Sequence, residues 1–166
     1  ELSLSRLGKL IDALDPQRVV ALGDSFHRSE CADRLVEDDF ALLRSLQKGR
    51  DWFWICGNHD PHLPDSIGGT VCGSLTIEGV TLRHEPSDEP NGPEIVGHLH
   101  PIARISRRGT VVRRRCFASD GSRLVMPAGP RGVEPLAALY HQDLVPHVRA
   151  LLNRGVRSPR SLLDAH

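Results

Sequence analysis

Lysine is almost absent from this 166-residue chain: Lys9 and Lys48 are the only two. Its basic side chains are otherwise arginines, whose planar fork suits carboxylate or phosphate, though genomic base composition alone produces the same bias. Net charge is absent as well. The 21 basic and 21 acidic residues cancel and the pI is about 7.3, which excludes a global basic field for nucleic acid and confines any such binding to a local patch. No Cys-x-x-Cys spacing occurs. Cys31, Cys56, Cys72 and Cys116 are widely separated, so they read as reduced thiols without assigned chemistry, Cys56 and Cys116 serving as small core residues. No run is long and apolar enough to span a membrane, no signal-peptide pattern opens the chain, and no repeat is visible. The expectation is a soluble, cytoplasmic protein that does not engage membranes; its oligomeric state is not legible.

What is present is a hydrophobic content of 39 %, enough for one core. The reading is an α/β metal-site domain over residues 1–128, followed by a C-terminal helical segment and tail, 129–166, packed on the same domain. Its organising stretch is Gly57-Asn58-His59-Asp60, directly after the apolar run Trp52 to Cys56. Alone, the tetrapeptide would pass for an ordinary turn. Its company argues otherwise: Gly23-Asp24 ends an earlier apolar run, His84 another, and Gly97-His98-Leu99-His100 a fourth. Metal-ligand residue types thus recur at consecutive strand ends.

In chain order, Leu4, Leu7, Leu10, Ile11 and Leu14 recur at helical spacing, and Asp15-Pro16 stops the pattern. Arg18 to Leu22 is a short buried strand. A second helix is expected from Ala32 to about Lys48, with Gly49 as its cap, and then the strand Trp52 to Cys56. The resulting β-α-β unit makes the two strands parallel and brings Asp24 near Asn58. Beyond Pro64 the texture turns to short strands at 74–78, 80–84, 94–96, 102–106, 110–117 and 123–126, with turns at Glu78-Gly79 and Arg107-Arg108-Gly109. Residues 86–93 read as a loop, Val133 to Leu152 as helical despite Pro135 and Pro146, and the remainder as a poorly ordered tail.

A carboxylate, an amide oxygen and imidazoles on one edge make a mixed nitrogen and oxygen site for a borderline divalent ion such as manganese, iron or zinc. Two such ions can clamp a phosphate and activate water. Asp24, with two oxygens to share, is the natural bridge. His59 is the candidate proton donor to a leaving group, and Asp60 is expected to orient its imidazole. His98 and His100 flank Leu99, so an extended backbone would point both to one side. His62, His141, His147 and His166 read as exposed loop residues. His27 is either a substrate contact near the site or a plain loop residue.

Gly23-Asp24, Gly57-Asn58-His59-Asp60, His84 and Gly97-His98-Leu99-His100 resemble the ordered motifs of the calcineurin-like metallophosphoesterase superfamily. The resemblance runs from Val19 to Met126. Leu22 to His27, Arg83-His84-Glu85-Pro86, His98 to Pro101, Arg115-Cys116-Phe117 and Met126-Pro127-Ala128 look most like the bacterial ligase-associated DNA damage response endonucleases (PdeM). It implies a four-layer α/β/β/α sandwich with two divalent ions, commonly manganese. Carried over by position, Asp24 bridges the ions, Asn58, His84 and His98 hold the second, His100 holds the first, and His59 is the catalytic acid. It further implies phosphodiesterase activity on DNA, single-stranded or damaged, alongside a ligase and a helicase in repair.

The chain departs from that pattern in lacking an Asp-x-His motif before Gly23-Asp24. The expectation is that the sandwich lacks its first strand here, and that a preceding segment carrying the motif belongs to the complete protein; the alternative is a catalytically impaired scaffold. A further departure follows Ala128, where a helical tail replaces the family's usual strand. A phosphoesterase for a nucleotide or phosphoprotein is a third reading. For substrate, six arginines between Arg104 and Arg115 lie in a stretch free of acidic residues from 95 to 119. Alternation puts Arg113 and Arg115 on the face opposite Arg114, where they could contact phosphates; a merely solvated hairpin has the same composition.

Overall fold

A computed structural model describes residues 2–107, 110–127 and 137–140. Helix α1 (Leu2–Leu14) turns Leu4, Leu7 and Ile11 inward, while Leu10 and Leu14 face solvent. Strands β1 (Arg18–Ala21) and β2 (Asp51–Ile55) then pair in parallel, Val19 opposite Trp52 and Ala21 opposite Trp54. Between them, helix α2 (Glu37–Gln47) starts five residues later than the spacing predicts. Ser29–Cys31 forms one 3-10 turn, Val36 is extended, and Glu37, Asp38 and Asp39 fill the first turn of α2. Carboxylates there oppose the positive end of the helix dipole, so the charge triplet sets the start where apolar periodicity alone does not. Gly49 follows in the left-handed region, as a cap should.

Continuous apolar runs in β1 and β2 are explained by burial on both faces. Val19, Ala21, Trp52 and Trp54 meet Ile11 of α1 and Leu43 and Leu46 of α2. Val20, Leu22 and Ile55 on the other face meet Val80, Leu82 and Ile95 of a second sheet. Each of the valine, leucine and isoleucine side chains here contributes roughly 1.5–3 kcal/mol on burial.

The first sheet is completed by β3 (Thr70–Cys72), parallel to β2. In the second sheet β4 (Ser74–Ile77) and β5 (Val80–Arg83) form an antiparallel hairpin. Its turn residues Glu78 and Gly79 both have positive φ, the conformation a two-residue turn of this kind demands. Strand β6 (Glu94–Val96) runs parallel to β5. The loop between them is tied to Glu94: the Ser87 N–H approaches its carboxylate, and Arg123 donates to both Glu94 and the Ser87 carbonyl. A hairpin of β7 (Ile102–Arg107) and β8 (Thr110–Arg115) stands apart as its own two-stranded sheet. Strands β9 (Ala118–Ser119) and β10 (Arg123–Val125) close the second sheet in the order β4-β5-β6-β10-β9.

The expected helix from Val133 to Leu152 is overturned where it is described. Ala137–Tyr140 is strand β11, antiparallel to β1 with Arg18 opposite Tyr140. The edge of β1 offers backbone groups whose pairing outweighs a weak local helix propensity. The edge of β1 expected to lack a neighbour is therefore occupied, and the first sheet reads β11-β1-β2-β3. The rest of 129–166, including His141, His147 and His166, lies outside the described residues. The architecture is mixed α/β, with two helices on one face of the first sheet and the second sheet on the other. Among the described residues no helix is long and apolar enough to cross a membrane.

Candidate metal centre

Strands β1, β2, β5 and β6 end at one edge, and the residues just beyond them converge. Asp24, His84 and His98 each offer a ligand atom, all within 4.8 Å of one another. Asp24 and His84 are buried and His98 half-buried, whereas Asn58 reaches in from an exposed loop.

Proton accounting makes this cluster informative. His84 Nδ1 lies 2.8 Å from the Leu22 carbonyl oxygen. A carbonyl only accepts, so Nδ1 carries a proton, which in a neutral imidazole puts the lone pair on Nε2. That lone pair faces Asn58 Oδ1 at 2.9 Å, His98 Nδ1 at 3.2 Å and Asp24 Oδ2 at 3.2 Å. Asn58 Oδ1 is also 3.1 Å from His98 Nδ1. With His98 protonated on Nε2 its Nδ1 also presents a lone pair, and a cation among the four atoms then takes all of them. The donors fit a borderline divalent ion of the manganese, iron or zinc kind, with the Leu22 carbonyl fixing the His84 ring behind it.

The backbone is built around this convergence. A Cβ on Gly57 would lie 2.2 Å from both Asp24 N and Asp24 Oδ1, and one on Gly23 would lie 2.5 Å from His84 Nδ1. Only glycine allows the two loops to approach so closely. Asp24, His98 and His100 have φ of 50°, 54° and 45°, a left-handed conformation costing about 1–3 kcal/mol for a residue with a side chain. Strain of this kind concentrates at ligand sites.

Two expectations change here. The backbone around His98 and His100 is not extended: both residues are left-handed, and the Leu99 N–H donates to Gly97 O at 2.6 Å. His98 joins the cluster, whereas His100 is exposed and is not grouped with it. Asp60 does not orient His59 either. Wholly buried, it accepts from Asp24 N–H and Gly57 N–H through Oδ1, at 2.9 Å each, and from Phe26 N–H through Oδ2 at 3.0 Å. Its carboxylate is a latch between the loops after β1 and β2. Burial pushes its pKa above the usual 3.8, against the pull of those N–H donors.

The His59 ring is exposed and stacks on that of His27, centroids 5.8 Å apart and planes 17° from parallel. Its backbone N–H donates to Asp24 Oδ1 at 2.9 Å, which ties the His59 loop to the cluster. His62 is exposed, as expected. Cys56 is half-buried at the same edge, and burial, then the Asp60 charge, pushes its thiol up, so it stays protonated there. All four cysteines are free, with Cys116 half-buried rather than in the core and Cys31 exposed. Sequence reading missed the Leu22 carbonyl, which carries no side-chain signal, and the latch role of Asp60, whose only clue is a buried-type carboxylate three residues after Gly57.

The substrate candidates Arg113 and Arg115 lie on β8, every residue of which is exposed. With Arg104 they share one face of the β7–β8 hairpin, since Arg104 sits opposite Arg113 and Ile102 opposite Arg115. Arg114 lies on the other face.

No family model matches the chain, and no curated protein does. Among solved structures it is similar to the crystal structure of the Pseudomonas putida nuclease MPE, with a TM-score of 0.63 and 25 % identity over 83 % of this chain and 74 % of that one.

Proposed function

We propose that this chain is a metal-dependent phosphodiesterase that cleaves nucleic acid, most simply DNA, and has the calcineurin-like four-layer sandwich of the ligase-associated endonucleases. The observation that carries the reading is the close approach of four potential ligand atoms, His84 Nε2, Asp24 Oδ2, Asn58 Oδ1 and His98 Nδ1. Likeness to a nuclease of known structure supports it. Manganese as the ion and a place in repair beside a ligase and a helicase are parts of the reading supported by motif resemblance alone.

In this reading Asp24, Asn58, His84 and His98 hold one divalent cation, which supplies Lewis acidity toward a phosphate oxygen and lowers the pKa of water beside it. Asp24 bears the charge that makes the site anionic, and His84 is held in one tautomer by Leu22. His59, exposed and stacked on His27, would protonate the leaving oxygen. Asp60 keeps the two loops in register. His100, outside the cluster, would serve a second cation with donors not grouped with it among the described residues.

The test is manganese titration by calorimetry together with hydrolysis of a chromogenic phosphodiester and of single-stranded DNA. Binding and cleavage should be lost in Asp24→Ala and His84→Ala; cleavage alone should fall in His59→Ala. Cleavage that survives chelation, or that Asp24→Ala leaves intact, would overturn the assignment.

A further inference from the structure

The β7–β8 hairpin is unlike the rest of the molecule. Among the described residues it pairs with neither larger sheet, and a two-stranded ribbon gains little stability of its own. Yet it exposes apolar side chains: Ile102 is 51 %, Val111 45 % and Val112 37 % exposed. Among the described residues, Arg104, Arg113, Arg114 and Arg115 form no ion pair with a carboxylate. Guanidinium groups left unpaired beside exposed aliphatic side chains mark an interface whose partner supplies anions and apolar area together.

The register sorts these groups by face. Arg104 is directly opposite Arg113, Ile102 is opposite Arg115, and Ser106 is opposite Val111. Directly opposed residues share a face, and so do residues two apart along a strand. One face therefore carries Arg104, Arg113 and Arg115 with Ile102 and Val111, whereas Arg114 and Val112 lie on the other. Arg114 also turns its guanidinium back to the Arg113 carbonyl at 3.0 Å.

The base of the ribbon is fixed at the metal edge. Strand β7 begins two residues after His100, and the Cys116 N–H donates to the Pro101 carbonyl at 3.1 Å, clasping both strands where they leave the centre. The three-arginine face therefore begins, along the chain, next to the loop that carries His98.

We propose that this face of the β7–β8 ribbon is the docking track for a single-stranded polynucleotide, deepening and resting on the phosphodiesterase reading above. Arginines bind its phosphates, and Ile102 and Val111 take base faces that a duplex keeps stacked away. A duplex presents mostly phosphate and sugar to such a ribbon and leaves the aliphatic side chains in water.

Fluorescence anisotropy on the full chain tests this, using a labelled oligothymidylate and a hairpin duplex over a salt series without added divalent ion. Single-stranded affinity should fall with salt, with a log–log slope of about 0.7 per phosphate contact. Arg104→Gln/Arg113→Gln/Arg115→Gln should flatten that slope by about 2, whereas Arg114→Gln should keep the wild-type slope and circular dichroism should show all variants folded. An unchanged slope in the triple variant, an equal loss in Arg114→Gln, or tighter binding of duplex than of single strand would overturn the proposal. Hydrolysis of a small phosphodiester by the wild-type chain is measured in parallel. Its absence, with the binding pattern intact, removes the enzymatic reading and leaves the track.

Discussion

Replacing Asp60 separates a structural latch from a catalytic partner. The buried carboxylate takes three backbone N–H donors, from Asp24, Gly57 and Phe26. Bonds to a charged acceptor are worth about 1.5–3 kcal/mol each, and a buried donor left without an acceptor costs about 1–3 kcal/mol. The gross effect is partly offset, because burial raises the Asp60 pKa and removal of the carboxylate relieves that desolvation. Asp60→Ala should therefore lose about 3–5 kcal/mol. Asp60→Asn can keep the two bonds at Oδ1 but turns an amide N–H toward the Phe26 N–H, and should lose about 2 kcal/mol. Urea denaturation with an unchanged m-value measures both. Both variants should also weaken manganese binding, since Asp24 and Asn58 lie on the loops that Asp60 joins. A loss below about 0.5 kcal/mol in Asp60→Ala would refute the latch, and a shifted pH–rate profile without a stability change would restore Asp60 as a partner of His59.

Three further outcomes follow from the same structure. Gly57→Ala places a Cβ 2.2 Å from Asp24 N, so manganese binding should be lost and the thermal midpoint lowered; wild-type calorimetry for this variant would contradict the close approach. Ile55→Ala, at 0 % exposure between the two sheets, should cost about 2–5 kcal/mol in urea denaturation. Asp120 accepts from the Arg123 and Ser122 N–H groups, and these bonds lower its pKa below 3.8. Its contribution is thus present above that value and lost as pH falls through the lowered one. The stability gap between wild type and Asp120→Ala should shrink on acidification, and a gap that widens would reverse the sign.

Much of the fold was legible because its signals are local. Residues 2–14, the apolar runs of β1 and β2, and the turn at Glu78-Gly79 declare themselves through spacing and turn chemistry, which act over a few residues. Right-handed β-α-β connection then placed Asp24 beside the Gly57 loop before any coordinates were needed. Strand β11 was not legible, because Ala137–Tyr140 owes its conformation to the edge of β1, some 120 residues away in the chain, and local pattern cannot report so distant a partner. The start of α2 was half legible: periodicity extended it to Ala32, and the charge triplet at 37–39 decided otherwise.

By itself, the sequence determined which residue types stand at the strand ends, and hence that Asp24, Asn58, His84 and His98 were the donors to watch. The tertiary structure alone decided which of them share a point in space. It drew His98 into the cluster with Asp24 and His84 and left His100 outside that group, and it gave Asp60 to the backbone rather than to His59. The reason is common to both: a side chain's chemistry is set by its type, but its partners are set by φ and by packing between chains of contacts that no short window contains.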